Sequence, residues 1–167
     1  MKNINLNSDI GEGFGVYDIG NDTEMLKIVN SANIACGFHA GDPNVMDRVV
    51  KQSIKNGVSI GAHPGFNDLW GFGRRQIHMS TDEIEASVAY QIGALQAISA
   101  TNNAIVTHVK PHGALNNMSS LDPAIATAIA RGVNLVDPKL ILVAVSGSFL
   151  FSAGQALGLT VAAEAYA

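Results

Sequence analysis

Two features of this 167-residue chain predict an α/β fold whose parallel strands curl into a (β/α) barrel-like sheet. Short apolar runs alternate with helix-forming segments, the order that builds parallel sheets through right-handed crossovers. The runs end directly in polar segments rich in Gly, His, Asn or acid, and these come from the ends of at least four different strands. A barrel gathers loops from all round its ring, whereas an open doubly wound sheet concentrates its site at one switch point. The barrel-like closure is favoured.

The elements follow in order. Residues 4–6 predict a first strand that runs into Asn7-Ser8-Asp9-Ile10-Gly11-Glu12-Gly13. A helix over 21–30 is expected because Asn21 lies three residues before Glu24, a capping-box spacing. Residues 32–36 form the second strand and lead into Gly37-Phe38-His39-Ala40-Gly41-Asp42. Asp42-Pro43 places a capping acid before a proline at the first helical position. The third strand, 58–62, ends in His63-Pro64-Gly65. Ser80, three before Glu83, opens the longest helix over 81–100, where Ile84, Val88, Ile92, Leu95 and Ile98 recur at helical spacing. The fourth strand, 105–109, delivers Lys110-Pro111-His112-Gly113, and Asp122-Pro123 starts the next helix. Strands over 141–145 and 159–163 flank a helix over 149–157.

The pattern is read as a single barrel-like catalytic domain over 1–167, with about six strands. A complete barrel of this kind needs about 250 residues, so the chain is expected to be truncated at its C-terminal side. With 47% hydrophobic residues it can bury a sizeable core. A formal charge of −4 without acidic or basic blocks excludes a nucleic-acid surface. A single cysteine, Cys36, fits a reducing compartment and reads as a small buried residue. No apolar run approaches a membrane span and no signal-peptide pattern opens the chain. A soluble cytoplasmic protein without membrane contact is expected.

Candidate chemistry sits at the strand ends. Asp9 and Glu12, three residues apart, suit a metal or divided acid and base roles. An Asp9, His39 and His63 set is adequate for zinc or another divalent ion, with His112 at an equivalent place. As lone side chains they would be structural hydrogen-bonding groups; their equivalent positions shift the balance. Lys110 at the close of an apolar strand needs a task or an acidic partner. It is expected to hold a carboxylate or stabilise an oxyanion, the bland alternative being a salt bridge to Asp9 or Glu12. Arg74 and Arg75, beside Trp70 and Phe72, suit an anionic substrate or a lid, or else a solvated turn. His78 reads as an exposed surface residue. The glycines near Asp9 match no phosphate-loop or dinucleotide fingerprint.

Taken together, these segments resemble the LamB/YcsF family. The resemblance rests on Asn7-Ser8-Asp9-Ile10-Gly11-Glu12-Gly13-Phe14-Gly15, Ser31 through Pro43, Gly61-Ala62-His63-Pro64-Gly65, Gly71-Phe72-Gly73-Arg74-Arg75 and His108 through Leu115. Asn116 departs from it, standing where the family usually has tyrosine. The resemblance implies an irregular β/α barrel related to the carbohydrate deacetylases. It implies the A component of an ATP-dependent 5-oxoprolinase, opening 5-oxoproline to glutamate with ATP and Mg2+ alongside the partner subunits PxpB and PxpC. Carried onto this sequence, it points to Asp9, His39 and His63, with His112 as a further candidate; the chemistry of opening a lactam makes Asp9, Glu12, Lys110 and His112 the catalytic candidates. Asn7, Gly37, Arg74 and Arg75 are expected to bind substrate, and Asp9, His39 and His63 a metal at the barrel mouth. The alternatives are a stand-alone metal-dependent deacetylase or amidohydrolase, and a non-catalytic substrate-binding subunit.

Overall fold

A computed structural model describes residues 4–166. Its six strands are β1 (Asn7–Ile10), β2 (Ser31–Ala35), β3 (Ser59–His63), β4 (Val106–Val109), β5 (Ile141–Val145) and β6 (Val161–Glu164). Each pairs in parallel with the next in sequence, giving a curled half-barrel with alternating helices, as the sequence predicts. The helices are α1 (Asp22–Met25), α2 (Pro43–Asn56), α3 (Thr81–Thr101), α4 (Gly113–Leu121), α5 (Pro123–Val136) and α6 (Phe149–Ala156).

Local chemistry explains most boundaries. Asp42 accepts from the backbone N–H groups of Asn44 and Val45, and Gly57 closes α2 in the left-handed conformation. Ser80 and Glu83 form a complete capping box at the head of α3. The buried stripe of α3 contains Ile84, Val88, Ile92 and Leu95, packed into the same core as Ile129 and Val133 of α5.

Three expectations are corrected. β1 begins at Asn7, three residues later than the apolar run 4–6, because Asn7 rather than Ile4 is in register with Ser31. Ile4 and Leu6 are exposed. The helix expected over 21–30 shrinks to α1, since Asn21 makes no side-chain cap bond. Between β4 and β5 lie two helices, not one, and Asp122 serves both. It is the C-terminal cap residue of α4, and its carboxylate accepts from Ala124 and Ile125 to open α5.

The inner wall of the half-barrel is polar along β1 to β4, while Ile141, Val143 and Ala162 make the side of β5 and β6 apolar. A cavity of about 560 Å³ is bordered by Asn5, Asn7, Ser31, Ser59, Thr107 and His108, among others. Complete barrels fill this space with branched aliphatic side chains; along β1 to β4 hydrogen bonds replace them here. His108 lies in that interior, over Gly61, where an added Cβ would collide with the imidazole. Only glycine leaves room for the ring.

Candidate active site

The carboxyl ends of β1, β2, β3 and β4 converge on one mouth. Asp9 leaves β1, Glu12 and His39 come from the loops after β1 and β2, His63 ends β3, and Lys110 and His112 follow β4. The rings of His39 and His112 stack at 3.6 Å with an interplanar angle of 6°. His63 meets both edge-on, at 5.4 and 4.9 Å. Gly73 allows this stack: a Cβ there would lie 2.6 Å from His39 Cβ and 2.9 Å from His112 Cδ2.

Hydrogen bonds assign the tautomers. His63 Nδ1 lies 2.6 Å from the Lys110 carbonyl oxygen, and His112 Nε2 lies 2.8 Å from that of Phe72. Carbonyls only accept, so both ring nitrogens carry protons. In neutral rings, His63 Nε2 and His112 Nδ1 then present lone pairs to each other across 3.1 Å. Glu12 Oε1 adds negative charge 3.4 Å from His112 Nδ1 and 3.0 Å from His39 Nε2. Such a donor-poor, electron-rich centre calls for a cation. One ligand atom from each of Glu12, His39, His63 and His112 lies within 4.8 Å of the others, and three imidazoles with one carboxylate fit a zinc-type ion. His39 Nδ1 is buried without a partner.

The metal-competent group therefore differs from the expected trio: Glu12 and His112 join His39 and His63, while Asp9 is otherwise engaged. Its Oδ2 lies 3.3 Å from His63 Nε2. Its Oδ1 accepts from Asn33 at 2.9 Å and from Lys110 at 3.3 Å. Burial alone would raise the Asp9 carboxyl, but His63, Lys110 and Asn33 outweigh it and hold it well below the usual carboxylate range. Burial pushes Glu12 the other way, above its ordinary value. His39 is pushed down to about 2 and His112 to about 4, chiefly by burial.

Lys110 is saturated. Its ammonium reaches Glu164 Oε1 at 2.8 Å, Asn7 Oδ1 at 3.2 Å and Asp9 Oδ1 at 3.3 Å, and an ammonium has three protons. The salt-bridge reading, with Glu164 as an added acid, describes it better than a free carboxylate clamp. Sequence reasoning missed Glu164 because the expected strand stopped one residue short of it. Asn7 is a network member beside Lys110 and accepts from Asn33 at 2.7 Å. Asn33 Nδ2 faces Asn7 and Asp9, so its Oδ1 accepts from His108 Nε2 at 3.2 Å. Thr107 Oγ1 lies 2.9 Å from His108 Nδ1 and donates to the Ile60 carbonyl at 3.0 Å; burial pushes the His108 ring down to about 4.

The paired arginines part company. Arg74 lines a polar cavity of about 220 Å³ with Asp9, His63, Lys110, His112, Asn116 and Tyr166. Arg75 instead bonds the buried carboxylate of Asp68 through Nε and Nη2, which holds Asp68 down to about 2. Gly37 adopts φ +91° in a turn closed by its N–H to the Ala40 carbonyl; it does not border the polar cavity. His78 is exposed. Cys36 is buried, and burial pushes its thiol up to about 12, too high for a nucleophile.

Fold and site together define a half-barrel of parallel strands with a carboxylate–imidazole centre at the strand ends, where barrel enzymes build their chemistry. The chain belongs to the LamB/YcsF family, whose model matches residues 4–167. It is 55% identical over 167 residues to the A component of 5-oxoprolinase from Natranaerobius thermophilus and 56% identical to that from Geobacillus kaustophilus. In both cases all of this chain is aligned with 65% of the relative, so the chain spans just under two thirds of their length. A lactam utilization protein from Thermus thermophilus superposes with a TM-score of 0.97 at 44% identity, covering 98% of this chain and 66% of that one. Among the described residues no helix is long and apolar enough to cross a membrane.

Proposed function

We propose that residues 1–167 form a catalytic β/α unit of a cytoplasmic 5-oxoprolinase, within its A component, acting with partner subunits such as PxpB and PxpC to open 5-oxoproline to glutamate at the expense of ATP. The relatives' names support the activity, and the convergence of Asp9, Glu12, His63 and Lys110 on one mouth supports the chemistry. A lactam resists water because its C–N bond has partial double-bond character. Transfer of a phosphoryl group from ATP to the lactam oxygen turns that oxygen into a leaving group. Water adds to the carbon, the ring C–N bond breaks as the nitrogen takes a proton to leave an acyl phosphate, and a second water displaces inorganic phosphate to give glutamate.

Arg74, at the polar cavity with Asn116 and Tyr166, takes the substrate carboxylate, a role that the saturated Lys110 leaves open. Glu12 is the better general base of the two acids, because its raised carboxyl lies nearer the working range than the strongly acidic Asp9. Asp9, held by Asn33 and Lys110, keeps negative charge beside His63 Nε2. The three imidazoles of the group, His39, His63 and His112, would hold a divalent ion, which would supply Lewis-acid stabilisation of a developing oxyanion and leave Glu12 to take the proton from water. ATP would arrive with Mg2+.

The test is 5-oxoproline-dependent release of ADP and glutamate by the chain assembled with its partners. Asp9→Asn and Glu12→Gln should each lower kcat at least a hundredfold while substrate still binds. Full turnover by either variant would sink the reading. The imidazole centre also suits a stand-alone amidohydrolase; turnover of the lactam without ATP would favour that second reading.

A further inference from the structure

The polar cavity leaves a larger apolar one unexplained. Phe14, Tyr17, Ile19, Leu69, Trp70 and Phe72 border about 370 Å³, and Glu12 and His39 of the imidazole centre border it too. Its size falls in the range of small-molecule sites, roughly 300–1,000 Å³. 5-Oxoproline is a five-membered ring with one carboxylate, and nothing in it matches an aromatic enclosure. Trp70 is 97% exposed and Tyr17 is also exposed, so large aromatic area stands in water until something covers it.

Phe72 joins the two cavities. It borders the apolar one, and its ring packs edge-on to His39 at 5.6 Å and to His112 at 5.2 Å. The Arg74 guanidinium lies 5.6 Å from its centroid and borders the polar cavity. A ligand laid along Phe72 thus finds aromatic surface at one end, and at the other a guanidinium beside the group of three imidazoles and one carboxylate. Flat π-systems stack on such rings, and the five N–H donors of the arginine can serve an anionic tail as well as the substrate carboxylate beside it.

We infer that this aromatic cavity takes the planar base of a nucleoside triphosphate and directs its phosphates past Phe72 toward Arg74 and the imidazole centre. Such a base site presupposes the lactam phosphorylation proposed above. There the lactam oxygen bonds to the γ-phosphorus, and the bond from that phosphorus to the bridging oxygen breaks. ADP departs with the electron pair.

Trp70 is the chain's single tryptophan, so its fluorescence reports on the cavity directly. Mg-ATP should quench it saturably, while inorganic tripolyphosphate, lacking a base, should not. Trp70→Ala, at a surface position that folding does not need, should weaken Mg-ATP binding by calorimetry about tenfold. In the assembled enzyme it should raise KM for ATP by a similar factor and leave KM for 5-oxoproline unchanged; Phe14→Ala is the second variant. Absence of quenching by Mg-ATP, or an unchanged KM for ATP in both variants, overturns the base site. Weakened assembly with partners at unchanged KM for ATP would mean the patch seats a protein, and overturns it too. Quenching without lactam turnover would refute the activity proposed above and leave the base site standing.

Discussion

Replacing Lys110 by methionine probes the polar wiring under the mouth. The ammonium is 6% exposed and sits among Glu164, Asp9 and Asn7, with the Glu164 carboxylate equally buried. Methionine keeps the stem's bulk but strands a buried carboxylate, for which the cost of breaking a buried pair is about 3–5 kcal/mol. Glu164→Gln removes the opposite partner and should cost somewhat less, because Asp9 still neutralises the lysine. The double variant removes both charges, so its loss should fall short of the summed single losses by about 2 kcal/mol. Urea unfolding of the four proteins at neutral pH, with linear extrapolation, measures each value. Additivity within about 0.5 kcal/mol would show that the two side chains do not feel each other, and the saturated-lysine description would fail.

Gly61→Ala should cost about 2 kcal/mol, because the new methyl collides with His108 and overpacks the interior; urea unfolding checks it, and an unchanged midpoint would refute the contact. His108 predicts acid lability. Its folded pKa, about 4 against an ordinary 6.5, means that the unfolded chain binds a proton which the folded chain refuses between those values. Stability should therefore fall as pH drops from about 6.5 to 4, by about 3 kcal/mol from this ring. His108→Gln should flatten the pH profile of the melting temperature. Cobalt(II) titration followed by visible absorption should give saturable binding, weakened about a hundredfold or more by His39→Ala; equal affinity would disprove the four-residue centre.

Signals carried by near neighbours were readable from the sequence. The capping box of Ser80 and Glu83, the Asp-Pro starts of α2 and α5, and the stripe on α3 lie within one or two helical turns, and all formed. β1 was displaced because its inward residues are Asn7 and Asp9. A strand that lines a polar interior lacks the apolar alternation by which strands are recognised. α4 went unseen since Gly113, Asn116, Asn117, Ser119 and Ser120 dilute the helical signal. At the site, position after a strand identified Asp9, His39, His63, Lys110 and His112. Which of them share a centre depended on side-chain direction. Glu12 reaches His39 across 27 residues and Lys110 meets Asp9 across 101, contacts that no local spacing encodes.

The two backbone carbonyls that claim a proton from His63 and His112 leave the other nitrogen of each ring as a bare lone pair facing its neighbour. Heat resistance should then track how the sample was purified: material stripped with EDTA melts lower than material given back a transition-metal salt. The fold's tolerance of temperature would be set in part by its mineral supply.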